Sequence, residues 1–289
     1  MNAIYEKAIL AADEVRMQIG ASIYEPVNIF DICDELGLNV LFVDISMEGL
    51  YVKQEGGSKN AILISCQRPF PRRVFTCAHE LGHHSFSHGL KIDILEKSPD
   101  PTEKRDIDEY LVDLFAGSLL MPIAGLQAEA AIRNLSWRRI TPLSLYKLCS
   151  VFGTGYTTLI THARANNLID DVTAASLDKY GPAKILSDIF GSDTKKAYFK
   201  IIDEHAQLKV IDLEVGNYLV LPQHIEIEGD HLQKFKNTAV GVGYTAVKPG
   251  IVRAASRDGN FATFIRIQRY RYAGLAKYRH LETPVEEIS

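Results

Sequence analysis

The sequence lacks any run of about 18 uninterrupted apolar residues, the length a membrane-spanning helix needs, so no membrane partner is expected. Cysteine is scarce. Cys33, Cys66, Cys77 and Cys149 are scattered and none forms a C-x-x-C pair, which argues against a disulfide framework. They read as small buried hydrophobes in a reducing compartment. No internal repeat or low-complexity tract is present. The first 18 residues carry Glu6, Asp13 and Glu14 inside an apolar pattern, which fits an amphipathic helix and not a signal peptide. A cytoplasmic protein is therefore expected. Charge of one sign is also missing. The net charge of −4, from 32 basic and 36 acidic residues, excludes a chain-wide nucleic-acid footprint.

What is present is ordinary globular material. Hydrophobic residues make up 46% of the 289 positions, enough for at least one substantial core, and the length favours two domains. Residues 1–135 read as mixed α and β. Helices are expected over Ala3–Ile19 and, opened by Pro26-Val27-Asn28, over Ile29–Leu36. Strands are expected near 36–43, 50–53 and 61–65, the last two separated by Glu55-Gly56-Gly57. From Pro71 the pattern turns helical. Residues 136–170 read as a helix-turn-helix-like linker of two short helices, the first capped by Thr141 before Pro142, with a break at Gly153-Thr154-Gly155. A further helix is expected over roughly Ala174–Phe190. Apolar runs separated by turn residues then mark 171–289 as ending in a β-rich module. The fold class is α+β.

The chemistry lies in Phe75-Thr-Cys-Ala-His79-Glu80-Leu-Gly-His83-His84, an H-E-x-x-H pattern. Residues four apart on an α-helix differ by about 40° around the axis, so both imidazoles can reach one metal ion. Glu80 is placed to take a proton from a water whose pKa a zinc ion lowers from about 15.7 toward about 7. Gly82 costs up to about 1 kcal/mol relative to alanine in a helix, which points to a close backbone approach there. A catalytic zinc needs a third ligand and an open position. Twenty-six residues after His83 begins Glu109-Tyr-Leu-Val-Asp113, with Glu109, Val112, Asp113 and Ala116 on one helical face. A carboxylate at the first of these positions can bind the metal. The one four residues on can accept the free ring N–H of a ligand histidine. Pro122 ends that helix.

Residues 75–89 (FTCAHELGHHSFSHG) and 109–122 (EYLVDLFAGSLLMP) resemble the two signature helices of the ImmA/IrrE family of zinc metallopeptidases. The likeness covers roughly residues 1–135, more weakly to 170. It implies a zincin-like metallopeptidase domain with a small sheet, His79, His83 and Glu109 as ligands of one zinc ion (manganese being the alternative), and Glu80 as general base. Asp113 stands where the family commonly has Asp or Asn, which suits an orienting role. The chain departs from the family at Val112 and Gly117, where alanine is frequent, and at His84, where an apolar residue is. None of these removes a ligand. The resemblance also implies a protein substrate, a DNA-binding transcriptional repressor or an antitoxin-like regulator cut at limited sites.

Other residues read more plainly. His84 points about 100° away from His83, and His88 suits the C-terminal dipole of its helix; both are expected to be structural. Arg72 and Arg73 read as a solvated helix entrance. The strand at 60–65 is a candidate sheet edge for an extended peptide. In the second of the two short helices, Arg164 is the only strong phosphate partner, which favours a plain helical extension over a DNA reader. Residues 253–279 carry seven Lys/Arg against Asp258 alone, interleaved with Tyr270, Tyr272 and Tyr278. Arg266, Arg269 and Arg271 are thus candidates for a ligand or nucleic-acid surface, with a basic face docked on acidic residues elsewhere as the competing reading. A non-proteolytic regulator that keeps the metal for structure is the rival to the peptidase.

Overall fold

The computed structural model describes residues 3–54, 59–88, 106–191 and 194–283. The expected turn at Glu55-Gly56-Gly57 and the helix stop at Gly89 lie outside the described residues. The chain divides into two compact units, Met1–Gln127 with Ala273–Lys277, and Ala128–Tyr272 with Tyr278–Ser289.

The first unit begins with α1 (Ala3–Gln18) and α2 (Ile29–Glu35). Asn28 caps α2, its side-chain oxygen accepting from the N–H groups of Phe30 and Asp31 and so satisfying two donors the helix start would leave unpaired. The strands β1 (Asn39–Val43), β2 (Gly49–Val52) and β3 (Ala61–Ser65) follow. β1 pairs parallel with β3, and β2 antiparallel with β3. A two-residue strand at Gly274–Leu275 adds antiparallel to β1, Leu275 opposite Leu41. β3 is therefore interior, and the sheet-edge expectation for residues 60–65 is corrected. Ala61, Ile62, Ile64 and Ser65 are buried, as befits a strand flanked on both sides, and among the described residues β2 forms the sheet edge beside it.

The helices α3 (Phe70–Ser85) and α4 (Ile107–Leu120) pack against each other, and α1 against α4. Gly82 sits at the α3–α4 crossing. A Cβ there would come within 2.9 Å of the Val112 Cβ and 3.1 Å of the Phe115 ring, so the close approach expected at this glycine is present. Arg73 is not at a solvated entrance: its guanidinium is buried against the rings of Phe42 and Phe70, 5.6 and 5.3 Å from their centroids. Arg72 and Arg68 instead pair with Glu48, at 3.1 and 3.0 Å. Arg16 on α1 is also buried. It donates to the Leu119 carbonyl at the end of α4 (2.6 and 3.1 Å) and to the carbonyls of Ser22 and Glu25 (2.6 and 2.9 Å). It thereby serves a helix-end acceptor and ties down the loop after α1. Burial lowers its pKa to about 10, so it stays charged near neutrality.

After Met121 and Pro122 the chain continues as α5 (Ile123–Ile132). The run Ile107–Ile132 is long and apolar enough to cross a membrane by length and composition alone. Pro122 breaks it, and α4 buries Leu111, Val112, Phe115, Ala116, Leu119 and Leu120 inside the first unit. That is the burial of a core helix.

The second unit holds α6 (Pro142–Phe152), capped by Thr141 as its sequence suggests, and α7 (Tyr156–Ala165) after the left-handed Gly153. The single helix expected near 174–190 is two, α8 (Asp171–Asp178) and α9 (Gly181–Phe190). Gly181 at φ +67° turns the chain, and the ring of Pro182 fits only the first turn of the new helix. The β-rich part comprises β4 (Phe199–Ile201), β5 (Val210–Glu214), β6 (Tyr218–Leu221), β7 (Ile225–Ile227), β8 (Leu232–Thr238), β9 (Gly241–Ala246), β10 (Gly250–Ser256) and β11 (Ala262–Gln268). They form two four-stranded sheets, ordered β5-β11-β10-β7 and β4-β6-β9-β8.

Candidate metal centre

His79 and His83 stand one turn apart on α3, and α4 brings Glu109 to the same point. The His79 and His83 Nε2 atoms are 3.2 Å apart. Glu109 places Oε2 3.2 Å from the first and Oε1 3.6 Å from the second. Among the described residues no other group of three His, Cys, Asp or Glu side chains converges in this way.

Each of the three can offer a lone pair, and a cation between them would accept all three. The spacing agrees. Tetrahedral zinc with bonds of about 2.0–2.2 Å holds its ligand atoms about 3.3–3.6 Å apart; the two Nε2 atoms are 3.2 Å apart, and each has a Glu109 oxygen within 3.6 Å. Two imidazoles and one carboxylate leave a fourth position open. The residues present therefore fit a single divalent ion of the zinc class.

The surroundings fix ring orientation. His79 Nδ1 lies 2.9 Å from Asp113 Oδ1, one turn beyond Glu109 on α4. A carboxylate there can accept the Nδ1 proton, which with a metal bound would leave the Nε2 lone pair for it. His83 Nδ1 lies 3.1 Å from His88 Nδ1. Hydrogen bonds from His79 and His83 hold the Glu109 carboxyl well below the usual carboxylate range, which keeps it anionic. Glu80 is buried on α3, and β2 starts beside it. A Cβ on Gly49 would come within 2.5 Å of Thr76 Cγ2 and 3.0 Å of Glu80 Oε1, so glycine is required for the strand to pass. His84 turns to the sheet instead, where its Nδ1 meets the Tyr51 hydroxyl at 2.9 Å. Burial pushes its pKa down.

Residues 33–144 match the family described as the IrrE N-terminal-like domain. This segment is similar to the IrrE N-terminal-like domain. It spans α2 to the first turn of α6 and contains His79, His83 and Glu109. The family is one of metallopeptidases, in keeping with the donor set at the α3–α4 crossing. A comparison with the curated proteins gave no match.

The C-terminal arginines lie beyond the matched segment, and Arg266, Arg269 and Arg271 each meet a different partner. Arg266 makes two bonds to Asp212, Nε to Oδ1 at 2.8 Å and Nη2 to Oδ2 at 3.0 Å. Arg279 reaches the same Oδ2 at 3.0 Å. Arg269 donates to the Glu282 carbonyl, and Arg271 lies over the Tyr270 ring while its backbone N–H donates to Glu214. Arg253 and Arg257 pair with Glu228 and Glu226. The acids that meet these cations precede residue 253 in the chain, and charge summed over 253–279 misses them. Arg164, the one strong phosphate partner of α7, pairs with Asp171 at the start of α8.

Proposed function

We propose that the chain is a zinc-dependent endopeptidase, with His79, His83 and Glu109 holding one zinc ion and Glu80 as the catalytic residue. The convergence of two imidazoles and a carboxylate at zinc-like spacing, inside a metallopeptidase-family domain, carries this reading. A bound zinc supplies Lewis acidity at its open position and lowers the pKa of water there. Glu80, one residue on from His79, takes the proton from the attacking water and delivers it to the leaving amine. Asp113 holds His79 in the tautomer that leaves Nε2 free for the metal. An extended substrate is proposed to lie along the free edge of β2, whose first residue borders Glu80, with backbone hydrogen bonds supplying affinity.

The substrate proposed is a DNA-binding repressor or antitoxin-like regulator, cleaved at limited sites in the cytoplasm. The test is co-expression with a candidate DNA-binding repressor or antitoxin-like regulator, comparing wild type with Glu80→Gln. Glu80→Gln is expected to keep zinc and leave the repressor intact, whereas wild type generates discrete fragments. Equal repressor integrity and equal cellular effect with both proteins would favour the rival, a regulator that uses the metal only for structure.

A further inference from the structure

The expectation that His88 merely suits a helix dipole leaves its position unexplained. α3 ends at Ser85, and Ser87 takes φ +55°, a left-handed conformation that costs a non-glycine residue about 1 kcal/mol or more. The turn folds the chain back. The His88 N–H donates to the His83 carbonyl at 2.9 Å, and the His88 ring comes to lie beside the His83 ring, centroids 5.3 Å apart. The two Nδ1 atoms are then 3.1 Å apart. The far nitrogen of His88 lies 3.7 Å from Asp108 Oδ1, on the first turn of α4.

We infer that His88 is a positioning residue for the metal centre, accepting the Nδ1 proton of His83 so that the His83 Nε2 lone pair is aimed at the metal. This rests on the zinc-site reading above. With Nε2 of His83 reserved for the metal, its Nδ1 must carry the proton, and a ring nitrogen 3.1 Å away must accept it. His88 is then protonated on Nε2, which faces the Asp108 carboxylate. The two ligand histidines are thus held by unlike partners: His79 by a carboxylate on α4, His83 by an imidazole returned to it by a strained turn. Such partners orient a ligand and raise its basicity, and their loss typically costs 10–100-fold in metal affinity.

The competing explanation is packing, since the His88 ring also stacks on Phe86 at 5.7 Å. Three substitutions in the full chain separate the two. His88→Phe keeps an aromatic ring on Phe86 but has no acceptor. His88→Asn places a carbonyl oxygen close to where Nδ1 stood. His88→Ala loses both. Zinc affinity is read by competition with a chromophoric chelator, with wild type and His79→Ala as references. His88→Ala and His88→Phe are each expected to bind zinc about 10–100-fold more weakly than wild type, and His88→Asn to recover most of that loss. Wild-type affinity in His88→Phe, or no recovery in His88→Asn, would overturn the inference while leaving the zinc site standing. Failure of wild type to bind more tightly than His79→Ala would overturn the zinc site, and the role of His88 with it.

Discussion

Two parts of this chain gather ionisable side chains, and they differ in what those side chains do to one another. At the α3–α4 crossing His79, His83 and Glu109 bring electron pairs to one place. In the second unit Arg266 and Arg279 bring N–H donors to the Asp212 carboxylate, which accepts from both. The first arrangement offers three donor atoms to one cation. The second pairs charges of opposite sign. Density of charge in a sequence does not by itself distinguish the two arrangements. Convergence of like function, all acceptors or all donors, does.

The contrast can be broken at either end. The largest stability effect is expected from Asp212→Ala, which leaves the nearly buried Arg266 and Arg279 without their shared carboxylate. Such losses cost about 3–5 kcal/mol, to be read from urea unfolding. A change under about 1 kcal/mol would show that this cluster is not self-sufficient and that something else neutralises it. At the metal end, Asp113→Ala should hardly alter folding of the metal-free chain but weaken zinc about 10–100-fold, measured by chelator competition. Unaltered affinity would remove Asp113 from the site.

A smaller effect concerns Lys200 on β4, near Asp212 and Arg266. Burial lowers its pKa to about 8 from an ordinary 10.5. Between those values the unfolded chain binds more protons than the folded one, so this group makes stability rise with pH across that window, and its penalty is full below it. Lys200→Met should flatten that rise in unfolding series run from pH 7 to 10.5, and should stabilise the chain at pH 7. Parallel pH profiles for the two proteins would contradict the lowered pKa.

How far the structure could be read in advance follows from the range of each signal. The helices of the first unit, the strands near 39–43, 49–52 and 61–65, and the Gly82 crossing rest on periodicity and residue type within a few turns. So does the placement of His79 and His83 on one helical face and of Glu109 and Asp113 on another. Pairing of Leu275 with Leu41 was not legible, because a two-residue strand carries no pattern. The partners of Arg266 and Arg253 depend on cross-strand register, which joins residues tens of positions apart. Arg73 looked solvent-facing because burial of a guanidinium between two rings leaves no local mark. His88 escaped for a different reason. A serine does not announce a left-handed turn, and without that turn the ring would point away from His83.

The central claim is that α3 and α4 together hold one divalent ion. The most direct measurement is the zinc content of the purified chain after exhaustive desalting, for wild type, Glu80→Gln and Glu109→Ala. One zinc per chain is predicted for the first two, and a value near zero for Glu109→Ala. A Glu109→Ala chain that retains zinc as fully as wild type would contradict the convergence of these two helices on a common metal.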